Sequence, residues 1–141
     1  MAGTLAGVRE LLYERFAAAW TFGVTTYCFD NETFDPPVEG TWARVSVRHL
    51  DSSQESLGKA GTRRFNRRAL LFVQLFAKLN AGVKDLDDKT QVVRTAFEGA
   101  RINSAGEDIR MNAVGVTEIG PTDDGWYQYN VEAAVDYTEI R

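Results

Sequence analysis

In this chain of 141 residues the side chains able to carry a proton, a metal or a nucleophile are few. There is one histidine, His49, and one cysteine, Cys28. Zinc sites built from several such ligands are therefore excluded. His49 alternates with Val45 and Val47, which favours a structural histidine over a catalytic one. Cys28 lies between Tyr27 and Phe29 and reads as a small packing residue. The segment Asp85-Leu86-Asp87-Asp88 opens like a calcium loop, but Lys89 takes the fifth position, Thr90 replaces the turn glycine and Ala96 the closing glutamate. Gly58-Lys59-Ala60-Gly61-Thr62 lacks the spacing of a phosphate loop and reads as a flexible hairpin connection. No nucleophile–base pair is visible. No catalytic residue, cofactor site or metal site is expected.

The sharpest polar feature is a set of four arginines, Arg63, Arg64, Arg67 and Arg68. On a strand, Arg63 and Arg67 point one way and Arg64 and Arg68 the other. A groove that reads bases would want them on one face. A contact between subunits suits them better, because guanidinium forks match carboxylates. Asp85, Asp87 and Asp88, or Asp123 and Asp124, could supply those carboxylates. A solvated strand end is the plainer alternative.

These residues must be held by elements that the apolar pattern outlines. Leu5, Val8, Leu12, Phe16 and Ala19 form the stripe of a first helix, with Thr4 as N-cap, ending near Thr21 to Gly23. Val24 to Phe29 predicts a short strand, followed by an irregular crossing through Pro36-Pro37 to Gly40. Trp42 to Leu50 alternates as a half-buried strand, with Ala43, Val45, Val47 and His49 on one side. Asp51 to Thr62 is polar, and Ser52 to Arg68 is expected to project as a β-hairpin arm. Phe65 to Leu79 predicts a strand apolar on both faces between Ala69 and Phe76. Val83 to Gly99 is a second helix, with Leu86, Thr90, Val93 and Phe97 as its stripe, early aspartates favouring the helix dipole, and Gly99 as its stop. Ile109–Ile119 and Trp126–Thr138 form a hairpin across G-P-T-D-D-G. The fold class is therefore α/β (α+β): a mainly antiparallel sheet with both helices packed on it, in the order α-β-β-β-α-β-β, as a single domain over residues 1–141.

Composition agrees with an ordinary globular chain: 44% hydrophobic and 26% charged, net charge −4. A pI near 5.0 argues against a general nucleic-acid binder. One cysteine allows no intrachain disulfide and fits a reducing compartment. Met1 to Arg9 lacks a basic segment followed by an apolar run, so no signal peptide is expected, and no apolar run approaches the ~20 residues of a membrane span. Asn31-Glu32-Thr33 is accordingly a chance match to the glycosylation pattern.

Taken together, P-P-x-x-G-T-W-A-R-V-S-V at Pro36–Val47, the glycine-containing arm with its arginines, A-L-L-F-V-Q-L-F at Ala69–Phe76 and G-W-Y-Q at Gly125–Gln128 resemble the tail terminator proteins of long-tailed bacteriophages, including tail-terminator-like and minor tail proteins. After Phe76 the chain departs from that pattern, reading A-K-L-N-A-G where a compact proline or glycine turn would be expected. The resemblance implies a structural virion protein at the head-proximal end of the tail, present in host cytoplasm during assembly. It implies a hexameric homo-oligomeric ring that caps the tail tube, ends its polymerisation and meets a head–tail connector or neck protein. It implies no membrane partner and no sequence-specific nucleic acid. Two other structural or binding classes compete: another connector component, and a small α+β ligand-binding domain or enzyme using Tyr127, Tyr129, Tyr137 and His49. An RNA-binding module using Arg63–Arg68 with Phe65 is a further alternative, weakened by the acidic balance.

Overall fold

The computed structural model describes residues 5–37, 40–104 and 107–141. Helix α1 spans Leu5–Ala19 and helix α2 Lys84–Phe97; six strands follow the order β1 Tyr27–Phe29, β2 Trp42–Gln54, β3 Arg64–Lys78, β4 Arg101–Ser104, β5 Glu107–Pro121 and β6 Trp126–Ile140. Thr4, expected to cap α1, falls outside the described residues. In space the strands run β1-β2-β3-β6-β5-β4. Four neighbouring pairs are antiparallel, and β1 lies parallel to β2.

The α+β class and the two helices match the sequence pattern, while the element order and the sheet require correction. The order is α-β-β-β-α-β-β-β, because β4 was not anticipated. It holds only four residues, R-I-N-S, with Ile102 its single large apolar side chain. That is too short for a two-residue period to show. The sheet is mixed, because β1 joins it in parallel through Tyr27↔Ala43, Cys28↔Arg44 and Phe29↔Val45.

One face of the sheet carries both helices. Val8, Leu12 and Phe16 of α1 and Leu86, Val93 and Phe97 of α2 meet Ala43, Val45 and Val47 on β2, Leu71, Val73 and Leu75 on β3, and Tyr129 to Tyr137 at alternate positions on β6. Each large apolar side chain buried there contributes about 1.5–3 kcal/mol relative to exposure. Aromatic contacts fix the return from α1 to β1: Tyr13 stacks on Phe29 at 4.0 Å and Phe16 meets Tyr27 edge-on at 5.5 Å. Trp20 Nε1 donates to Thr26 Oγ1 at 2.8 Å.

Turn chemistry closes the ladder. The A-K-L-N-A-G segment makes its turn with Asn80 at φ 65° and Gly82 at φ 79°, and α2 starts two residues later. Between β5 and β6, Thr122 N–H donates to Trp126 O at 2.7 Å, and Gly125 at φ 87° takes the left-handed position that other residues avoid.

The opposite sheet face has no helix. Trp42 stacks on Phe76 at 4.3 Å and meets Trp126 edge-on at 5.8 Å; Phe34, from the crossing after β1, leans over Trp42 at 5.1 Å. Farther along, Phe72 and Leu70 are half-buried and Arg48 is exposed.

Candidate functional site

The four arginines sit where β2, β3 and β6 end together. The expected arm is partly integrated into the sheet: β2 continues to Gln54, Phe65 pairs with both Gln54 and Glu139, and Arg64 pairs with Ile140. Arg63 and Arg141 exchange backbone hydrogen bonds at 3.0 and 2.8 Å. Only the connection from Glu55 to Arg63 extends past the strands. Its Leu57 is 94% exposed.

The arginines alternate between faces as a strand requires, and their environments differ. Arg67 is filled within its own subunit. Its Nη2 and Nε donate to Glu139 Oε1 at 2.7 and 3.2 Å, its Nη1 donates to Ser52 Oγ at 2.8 Å, and its guanidinium lies 4.9 Å from the Phe65 ring centre. Arg63 Nε donates to Gly58 O at 3.0 Å, holding the hairpin connection. Arg68 has only a loose 3.7 Å approach to Asp51, with both side chains exposed. The side chain of Arg64 is exposed and has no ion-pair partner among the described residues. Arg64 and Arg68 thus remain available to another chain.

The three aspartates lie at the other end of the sheet. Asp85 accepts from Thr41 Oγ1 and from Lys89 Nζ, the latter at 3.1 Å. Burial opposes ionisation of Asp85, but those two donors outweigh it and hold its pKa below the ordinary carboxylate value. Asp87 accepts from Tyr129 Oη at 2.9 Å, and Asp88 from Lys84 Nζ at 3.0 Å. Burial, followed by the neighbouring carboxylates of Asp87 and Glu118, pushes the Tyr129 phenol well above its usual pKa. Register places Tyr129 level with Leu75 and Ala43, whereas Arg67 is level with Tyr137 and Ser52. The arginines and these aspartates of one subunit are therefore separated by most of a strand.

A surface cleft of about 350 Å³ lies beside the arginine end, lined by Leu5, His49, Ser52, Arg67, Arg68 and Arg141 among others. His49 is half-buried there; burial and then the Arg9 charge lower its pKa, and its buried Nδ1 has no hydrogen-bond partner among the described residues. Tyr137 reaches the same cleft. Tyr129 stands at the opposite end, buried against Asp87, so the tyrosines and His49 do not converge on one pocket. Among the described residues no group of three potential metal ligands forms, and no helix is long and apolar enough to cross a membrane.

Glu139 and Ser52, the partners of Arg67, were not singled out in the sequence. Glu139 lies 72 residues from Arg67, and nothing local marks the pair. The aromatic group of Phe34, Trp42, Phe76 and Trp126 had a signal: Trp42 and Phe76 occupy the strand positions opposite the core-facing ones.

Comparison with known proteins completes the description. A solved structure shares the fold at a TM-score of 0.66 and 16% identity, covering 94% of this chain and 97% of the other. At that identity the likeness concerns the fold alone. No curated protein sequence matches the chain. The family model described as phage tail terminator protein matches residues 7–134. That match takes in α2, all but the first residues of α1, the four arginines and every strand except the end of β6, and the chain belongs to the phage tail terminator family, a structural family of phage tail assembly.

Proposed function

We propose that this protein forms a closed ring, of six subunits by family resemblance, on the head-proximal end of the tail tube. There it ends tube polymerisation and presents the surface that a head–tail connector protein meets. The observation that carries the reading is the family match across residues 7–134. Its physical sense is that a cap on a tube must join copies head to tail and close, since an open heterologous contact would itself polymerise.

Within that ring, the arginine end contacts the adjacent subunit. Of Arg63, Arg64, Arg67 and Arg68, the exposed Arg64 and Arg68 are the contact-forming pair, while Arg67 and Arg63 brace their own hairpin. Asp85, Asp87 and Asp88 of the neighbour are the acidic counterpart. Exposed ion pairs contribute only about 0–1 kcal/mol each, so their role is register and partner choice repeated around the ring.

The test is electron microscopy of tails assembled with and without the protein. A ring at the head-proximal tip, and tails of irregular length when the protein is omitted, is the expected result. Finished particles that lack the protein would refute the role. The Arg64→Ser, Arg68→Ser double variant should fold normally and impair capping; normal tail length in that variant removes these residues from the contact.

A further inference from the structure

Both edges of the sheet are stepped. β2 has thirteen residues, yet β1 covers it only at Ala43, Arg44 and Val45. β5 has fifteen residues, yet β4 covers only Glu107–Arg110, with Gly99 and Ala100 extending the cover to Met111 and Asn112. Just past each step a side chain caps one outward backbone group. Arg9 Nη2 donates to Val47 O at 2.8 Å, and Val114 N–H donates to Glu98 Oε2 at 3.0 Å. Beyond those caps, His49–Gln54 on β2 and Val116–Pro121 on β5 meet no strand on their outward side among the described residues.

Bare strand edges are templates for further pairing, and proteins usually blunt them with lysine, proline or a covering segment. Neither stretch contains a lysine, and the one proline, Pro121, is the last residue of β5; what blunting there is comes from one acidic residue and one register shift in each, Asp51 with the shift between His49 and Ser52, and Glu118 with the shift between Glu118 and Gly120. Both carry exposed apolar side chains: Leu50 on β2, Val116 and Ile119 on β5.

We propose that these two edges pair with each other between neighbouring copies of this chain, β2 of one subunit antiparallel to β5 of the next, with His49 opposite Glu118. The inference rests on the ring reading and specifies its interface. Three observations favour a second copy as the occupant. First, β2 and β5 run in opposite directions within one sheet, so a neighbour in the same orientation offers the antiparallel partner. Second, the two edges are different surfaces, which makes the contact heterologous and able to build a ring rather than a dimer. Third, the side chains agree. His49 and Glu118 both lie on the helix-bearing face, Glu118 beside Tyr129, and the buried Nδ1 of His49 has no hydrogen-bond partner among the described residues. Leu50, the first residue of the β2 register shift, then comes level with Thr117, with Ile119 in the β5 register shift beside it.

The geometry is compatible with closure. Within one subunit Glu118 is level with Ala43, through Tyr129 and Leu75. Pairing it with His49 displaces the neighbour by about six residues along the strands, roughly 20 Å. Each subunit adds four columns, β2, β3, β6 and β5, or roughly 19 Å across the strands. Strands would then incline by about 45° to the ring axis, at the upper end of what closed sheets adopt.

Cysteine cross-linking tests the register. In a Cys28→Ser background, His49→Cys with Glu118→Cys, and separately Leu50→Cys with Thr117→Cys, are oxidised in assembled tails and resolved on a non-reducing gel. The expected result is a covalent ladder up to the full ring for each pair, and none for the single variants. Rings visible in micrographs with only monomer on the gel for both pairs would overturn the edge pairing and leave the ring standing; tails with no ring would overturn both. Val116→Pro adds an independent arm. Its N–H faces outward, two residues from that of Val114, so the β6 ladder keeps its bonds. Ring-capped tails should fall at least ten-fold while the circular dichroism of the isolated subunit is unchanged; capping at the wild-type level overturns the proposal.

Discussion

Replacing Arg67 by alanine strips the Glu139 carboxylate of two donors and Ser52 of one, at a site where the two charged side chains are only 21% and 13% exposed. Breaking a fully buried ion pair costs about 3–5 kcal/mol, because the remaining charge is left unpaired. Exposed pairs contribute about 0–1 kcal/mol. Water reaches one side of this pair, so the loss should fall between the two limits, at about 2–3 kcal/mol including the contact with the Phe65 ring. For a chain of this size that corresponds to a melting point lower by roughly 6–12 °C. Arg68→Ala is the control: its 3.7 Å approach to Asp51 is exposed on both sides, and its removal should change stability by no more than about 0.5 kcal/mol. Urea unfolding of the isolated subunit measures both, with an unchanged m-value as the check on two-state behaviour. Arg67→Met combined with Glu139→Leu should recover much of the loss, since no charge is then left unpaired. Equal stabilities for Arg67→Ala and Arg68→Ala would refute the division of the arginines into bracing and contacting residues.

The core and the aspartate end give further expectations. Phe16→Ala, which empties the space between α1 and the rings of Trp20 and Tyr27, should destabilise by about 3–5 kcal/mol in the same urea titration. Tyr129 has a raised pKa, so its contribution is fully present below the unfolded value and is lost as pH rises toward the folded one. Alkaline unfolding should therefore be less steep in Tyr129→Phe than in the parent, and parallel curves would remove the phenol from that role. Asp85 has a lowered pKa, so its contribution is present above the ordinary carboxylate value and is lost as pH falls through the folded one. Thr41→Val, which deletes one of its donors, should move acid unfolding to higher pH; an unchanged acid midpoint would contradict the assignment.

How much of this was legible in the sequence follows from where each signal resides. The helices carried theirs locally: Val8, Leu12 and Phe16, and Leu86, Val93 and Phe97, are buried as their spacing requires. The long strands did too, through the alternation of Ala43, Val45 and Val47 and of Tyr129 to Tyr137. β1, expected within Val24 to Phe29, and β4, not expected, have three and four residues, too few for a period, and their places depend on partners 16 and 3 to 9 residues away along the chain, on opposite edges of the sheet. The alternation of the arginines was legible, but their inequality was not. Arg67 and Arg68 are alike as neighbouring letters, and only the register of β3 against β6 shows that Glu139 reaches Arg67.

The steps in the two sheet edges bear on why this fold suits a terminator. A subunit with fully covered edges could pack against its neighbours only through side chains, which give register weakly when exposed. A subunit with one wholly bare edge would invite indiscriminate strand addition. Here the cover is partial on both sides: Arg9 and Glu98 cap the first outward groups past each step, and the bare stretches lie at opposite ends of the sheet. A neighbour cannot satisfy both edges without moving along the strands, and in a closed sheet that movement is accommodated by strand inclination. The edges would then help fix how copies meet, and the inclination would limit the ring to a closed number of subunits, so growth could stop at the cap.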